Sequence, residues 1–253
     1  MDMTKVLSID LDYIMGPVIE TYNSFYFDYN PSTRWRNLDE LDKYKNLQYP
    51  IDQSSLMYCF NVFLKSLKYC DDISFGYEHD DILYHISDCD NIKLINIDHH
   101  DDVLSADFFN TYKNGFLDKE YDEVVFSDRV HEGNWVSWLH KENKLDSYVW
   151  IRNENSSNVS RNNFNYNLLK SYLDTTRENY KFIDYKFDKV FVCLSPQYVP
   201  KEHWHYFSMF ISSYEEFCEK GANIMSWANK KFEIEYRNKS VTNKVIKETR
   251  VGK

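Results

Sequence analysis

Glycine and proline are scarce, 6 and 5 among 253 residues, and no internal repeat or low-complexity tract runs through the chain. Asn, Lys, Tyr, Ile and Asp are abundant instead, a bias that records an AT-rich genome more than a physical demand. Cysteine numbers five (Cys59, Cys70, Cys89, Cys193 and Cys218) with no Cys-x-x-Cys pair. An odd number cannot all close into intramolecular bridges, so buried free thiols are expected rather than a disulfide framework. Basic residues are outnumbered, 30 against 40 acids, and the net charge of −10 repels polyanions, which makes nucleic acid a poor partner. The N-terminal Met1-Asp2-Met3-Thr4-Lys5 leads directly into a short apolar run, which is neither a signal peptide nor a membrane span. A cytoplasmic location without a membrane partner is therefore expected. In that compartment the sequons at Asn155 and Asn158 are chance matches.

What the chain does have is apolar material, 43% of residues, with 21 Tyr, 17 Phe and 6 Trp to fill a core, and disorder is not expected over most of its length. Residues 1–253 read as a single domain. Apolar runs at 6–9 and 92–97 end in acids, 190–194 ends in Ser195-Pro196, and 148–151 ends in Arg152-Asn153-Glu154. These patterns predict buried strands with polar C-terminal ends, and 73–77 and 123–126 are weaker strand candidates. Helical spacing predicts helices over 54–69, 134–142, 165–174 and 214–229. Strands alternating with helices predict an α/β fold, a three-layer α-β-α arrangement around a mainly parallel sheet, with ligands at the carboxyl ends of the strands. Residues 18–50 are aromatic and charged without periodicity and read as an insertion, either a lid or a packed surface excursion. The tail over 230–253 reads as a frayed or unstructured end.

Three short clusters carry chemistry: Asp10 and Asp12 in Leu7-Ser8-Ile9-Asp10-Leu11-Asp12, His79 in Glu78-His79-Asp80-Asp81, and Asp98, His100 and Asp102 in Asp98-His99-His100-Asp101-Asp102. Alternate residues of an extended segment face one side, so each cluster can aim its members at one place. His99 would then face away, in a core or supporting role. Four carboxylates and two divalent cations balance in charge, which makes their joint burial tolerable. Hard oxygen ligands with a minority of imidazole favour manganese, remain compatible with zinc, iron or cobalt, and disfavour calcium. Two such ions about 3.5–4 Å apart activate water for hydrolysis. Glu78, Asp80 and Asp81 are neighbouring alternatives to His79, and His203 and His205 read as surface or packing residues.

These six positions resemble the arginase and ureohydrolase pattern, in which an Asp-x-His-x-Asp strand end, an Asp-x-Asp strand end and one further histidine bind two manganese ions. The resemblance implies that Asp98 and one acid of the Asp10/Asp12 pair, Asp10 being preferred, bridge the ions. His79 and Asp102 would complete one coordination sphere, and His100 and Asp12 the other. The Asp-x-Asp segment opens this chain instead of coming late, which implies a permuted strand order. That order, with Glu78-His79 and Glu132-Gly133-Asn134-Trp135, is more similar to the arginase-like family that includes the peptide arginases, over about residues 5–205. The implied function is hydrolysis of a guanidino group, with peptidyl arginine converted to ornithine and urea. His131 and Glu132 are then the expected catalytic residues, one shuttling protons and the other pairing with a guanidinium, although both also suit the start of a helix. Asn134 and Gln197 are the expected substrate-binding residues. Gln197 stands where arginase carries a guanidinium-binding glutamate and cannot form that ion pair; Glu132, Glu154 and Glu202 are the acids that could substitute. Amide or deacetylase-type hydrolysis and a non-catalytic, metal-stabilised accessory role are the alternatives.

Overall fold

The computed structural model of the chain describes residues 3–15, 51–103, 130, 132–156, 169–196 and 198–220. Six strands form one parallel sheet: β1 (Thr4–Asp10), β2 (Ile73–Gly76), β3 (Ile92–Asp98), β4 (Leu145–Arg152), β5 (Ser171–Thr176) and β6 (Lys189–Cys193), in the order β2-β6-β1-β3-β4-β5. The α-helices among the described residues are α1 (Gln53–Ser66), α2 (Ile82–His85), α3 (Trp135–Lys141) and α4 (His205–Lys220).

Period-two alternation divides the strand residues between two cores. Leu7, Ile9, Ile95, Ile97, Val190 and Val192 pack with Phe60 and Phe63 of α1 and Phe210 of α4. Val6, Leu94, Tyr148, Trp150 and Phe191 pack on the other face with Ile82 of α2 and Trp135, Val136 and Leu139 of α3. A sheet covered on both sides favours apolar residues on both faces of its strands, which is why the central strands read as short apolar runs broken only at a few polar positions. The Phe60–Phe210 and Phe63–Phe210 ring pairs, 5.2 and 5.1 Å between centroids, lock α1 against α4 and add about 0.5–1.5 kcal/mol each beyond their burial.

After β1 the chain travels through α1 to β2, on one side of β1 beyond β6, whereas β3 lies on the other side and leads on to β4 and β5. The chain therefore departs from the carboxyl ends of neighbouring strands β1 and β3 in opposite directions. Parallel sheets bind ligands at such a crossing point. Asp10 caps the 3-10 turn Leu11–Ile14 by accepting from the Asp12 N–H. Met15 then bridges to Ile51, and the Asp52 N–H donates to the Ile14 carbonyl at 2.8 Å. Asp52 caps α1 and is held by Arg177 at 3.1 Å, its carboxyl lowered to about 2: burial opposes this, but hydrogen bonds from Ser54 and Ser55 and the Arg177 charge outweigh it.

Two expected helices differ. The stretch expected helical over 165–174 is strand β5 from Ser171 onward, and 165–168 lie outside the described residues. β5 is an edge strand whose Leu173 is largely exposed, so its apolar residues fall at no clean period of two. The last described helix begins at His205, not at 214, because Phe207 and Phe210 continue the buried stripe toward the N-terminus, and 221–229 lie outside the described residues. Cys59, Cys70, Cys89 and Cys193 are buried free thiols as expected, but Cys218 on α4 is exposed. The proposed lid at 18–50, the tail at 230–253 and the strand candidate at 123–126 lie outside the described residues.

Gly76 is required by close approach. A Cβ there would lie 2.5 Å from Phe191 Cζ and 2.8 Å from Asp81 Cβ. Gly76→Ala should cost about 1–3 kcal/mol in urea denaturation, since Phe191 is buried and cannot swing aside. An unchanged midpoint would mean that the Phe191 ring yields freely.

Candidate metal centre

On β1 the residues Val6, Ser8 and Asp10 share a face, as do Leu94, Asn96 and Asp98 on β3. The parallel register sets Ser8 beside Asn96 and Ile9 beside Ile97, so Asp10 and Asp98 finish adjacent strands side by side on the face covered by α2 and α3. His79 arrives from the 3-10 turn His79–Asp81 that follows β2, with its ring stacked parallel to Phe191 and 4.8 Å from Trp135.

The remaining candidate ligands converge by turns, not by continued strand alternation. β1 and β3 end at Asp10 and Asp98, and the two carboxylates turn the chain by accepting the N–H groups of Asp12 and His100 at 3.0 and 2.8 Å. Asp102 adopts φ 52°, in the left-handed region, a strain of about 1 kcal/mol or more that persists only where surroundings enforce it. Those surroundings are the Trp135 indole N–H, which donates to Asp102 Oδ2 at 2.6 Å, and the Val136 N–H, which donates to the Asp102 carbonyl. The Tyr148 hydroxyl and the Trp150 indole N–H pin the turn further by donating to the carbonyls of Asp101 and Asp98.

His79 Nδ1 lies 3.1 Å from Asp10 Oδ2, 3.0 Å from Asp98 Oδ2 and 2.8 Å from Asp102 Oδ2, without a well-directed hydrogen bond to any of them. One N–H cannot satisfy three carboxylates at once; a divalent cation among them could. A second group lies alongside: His100 Nδ1 is 2.7 Å from Asp12 Oδ2, and the other Asp12 oxygen accepts the His99 N–H. Two sets of potential ligands result, Asp10–His79–Asp98 and Asp12–Asp98–His100, with Asp98 common to both. The first is wholly buried, and the second opens outward through His100, whose side chain is 30% exposed beside Tyr198.

The clustering of these carboxylates shifts their protonation strongly. Burial, reinforced by Asp10 and Asp98, raises the Asp12 carboxyl well above its ordinary range, and burial with the Asp98 charge does the same to Asp102. Burial would also raise Asp98, but the His79 and His100 rings hold it well below the usual carboxylate range. Burial would lower His79, yet Asp102, Asp10 and Asp98 together raise it. The donors are hard oxygens with imidazole and no thiolate, a set that fits manganese.

Glu132 and Asn134 precede α3, half-buried, beside the Trp135 that contacts both His79 and Asp102. Burial, with Glu132 and Glu78 nearby, pushes the Asp80 carboxyl up to about 7. His131 and Gln197 lie outside the described residues, and Glu154 and Glu202 are exposed. His99 is buried and serves Asp12 through its backbone, while His205 packs on Tyr206 and bonds the Glu202 carbonyl.

Four supporting residues were given no such role from the sequence, although Trp135 stood in the Glu132–Trp135 motif and Ser195 at a strand end. Ser8 Oγ is 2.7 Å from His79 Nε2, the Asn96 amide donates to Asp98 Oδ2 at 2.9 Å, and the Trp135 indole holds Asp102. The Ser195 hydroxyl donates to Asp10 Oδ2 at 2.5 Å from a residue at φ 46°. The available signal for Ser8 and Asn96 was a polar residue inside an apolar strand, two positions before an expected ligand.

No family model, curated protein or solved structure matches this chain. No helix among the described residues is long and apolar enough to cross a membrane.

Proposed function

We propose that this protein is a dinuclear manganese hydrolase of C–N bonds with an arginase-like, permuted fold, acting on the guanidino group of arginine within a peptide. The observation that carries the reading is Asp98, a buried carboxylate shared by two adjacent sets of carboxylate and imidazole ligands. Asp10, His79, Asp98 and Asp102 would hold the inner ion, and Asp12, Asp98 and His100 the outer one. When bound, the ions supply activation of water and stabilisation of the charge that develops at the attacked carbon.

The chain's own residues account for the rest. Four carboxylates, Asp10, Asp12, Asp98 and Asp102, balance two divalent cations, so the loaded centre is nearly neutral. Asp80 and Glu132 place mutually repelling carboxylates beside it, which a cationic guanidinium would relieve. Trp135 and Phe191 cover His79 and keep water from that side. Water adds its oxygen to the guanidinium carbon, the bond to the side-chain nitrogen breaks, and His131 is assigned delivery of the proton to the departing amine, leaving ornithine and urea.

Manganese-loaded protein incubated with arginine-containing peptides should release urea and leave the peptide lighter by one carbon, two nitrogens and two hydrogens. The neutral Gln197 favours amide hydrolysis as a second reading. Acetate or ammonia in place of urea would mark it, and no product from any peptide would leave only the accessory role.

A further inference from the structure

His79 is the ligand whose two ring nitrogens face different partners. Nδ1 faces the three carboxylate oxygens, while Nε2 faces Ser8 Oγ at 2.7 Å. Trp135 and Phe191 fix the plane of the ring but, being apolar walls, cannot distinguish one nitrogen from the other. Ser8 can. It is fully buried on β1, between register partners Asn96 and Phe191, where an unbonded hydroxyl would be costly. We propose that Ser8 is the positioning residue of the inner ion: by accepting the Nε2–H of His79 it fixes the tautomer and orientation that leave the Nδ1 lone pair aimed at Asp10, Asp98 and Asp102. This rests on the dinuclear reading above and assigns Ser8 to one of its two positions. Asp12, Asp98 and His100 do not share the Ser8 hydrogen bond, so the outer position is independent of it.

Titration of metal-free protein with manganese alone, followed by calorimetry, tests the assignment. Wild type should bind in two steps. Ser8→Ala should weaken one step about ten- to a hundredfold and leave the other within about twofold, the range expected when a supporting partner of a metal-bound histidine is lost. Ser8→Cys keeps the volume with a poor hydrogen-bonding atom and should weaken the same step, whereas Ser8→Thr restores the hydroxyl and should recover it. Ser213→Ala removes a buried hydroxyl on α4 that donates to the Met209 carbonyl, and it should change neither step. Nitrogen NMR of the zinc-loaded protein should show His79 protonated on Nε2. Unchanged binding in Ser8→Ala and Ser8→Cys, equal losses in both steps, or a proton on Nδ1 would overturn the role of Ser8. A wild type that binds no manganese would overturn the dinuclear reading as well. Intact two-step binding without urea release would remove the substrate and leave Ser8 in place.

Discussion

Asp98→Ala is expected to cost at least about a thousandfold in affinity for both manganese ions, some 4 kcal/mol, and to abolish hydrolysis with them. Among the described residues only Asp98 belongs to both sets of ligands, and Asp10, expected as a second bridge, falls in the inner set alone. The Asp98 carboxylate also collects the His100 N–H, the Asn96 amide and the charge of His79, so its removal unties β3 from His79 and from the turn that presents His100. His100→Ala should instead weaken the outer ion alone, its ring being partly exposed and absent from the inner set. Metal content after gel filtration and a calorimetric titration distinguish the two patterns. The shared role fails if Asp98→Ala retains one full equivalent at wild-type affinity, for then the two positions do not depend on a common ligand.

How far the sequence discloses this centre follows from what each residue needs. Asp10 and Asp98 were legible because acids that close buried apolar runs must face a cavity or a counter-charge. The parallel sheet was legible from the short apolar runs of β1, β3, β4 and β6, buried on both faces and interrupted by polar residues such as Ser8 and Asn96. The way Asp12, His100 and Asp102 reach the site was not. Period-two alternation predicted a strand, whereas the aspartates themselves end β1 and β3 by capping the turns that follow, and Trp135 and Val136, from α3, hold Asp102 at its positive φ. β5 illustrates the opposite failure. Its flanks are shared between solvent and neighbours, so neither period dominates, and Leu169, Tyr172 and Leu173 imitate helical spacing. Ser195 could not have been foreseen as a partner of Asp10, since β6 reaches β1 only through the crossing that inserts it between β1 and β2.

Metal removal should reverse the direction in which pH affects stability. In the metal-free protein the carboxyls of Asp12 and Asp102 are raised above an ordinary value of 3.8, and His79 is raised above 6.5. The folded state therefore holds protons that the unfolded chain releases. The His79 contribution is fully present below its unfolded pKa and is lost as pH rises through its higher folded value; the two carboxyls likewise lose theirs as pH rises from about 4. Asp98, held low, has the opposite sign, and its contribution disappears only as pH falls below its ordinary 3.8. With chelator present, Tm should therefore decline from weakly acid toward alkaline pH, as carboxylates in the pocket ionise without a counter-charge. With excess manganese the trend should invert, because the ligands bind metal only when deprotonated, and saturation at about a thousand times Kd adds about 4 kcal/mol. Thermal melts between about pH 5 and 9, with and without chelator, should diverge as pH rises. Parallel curves would mean that the buried carboxylates are balanced from within the protein and that no cation completes them.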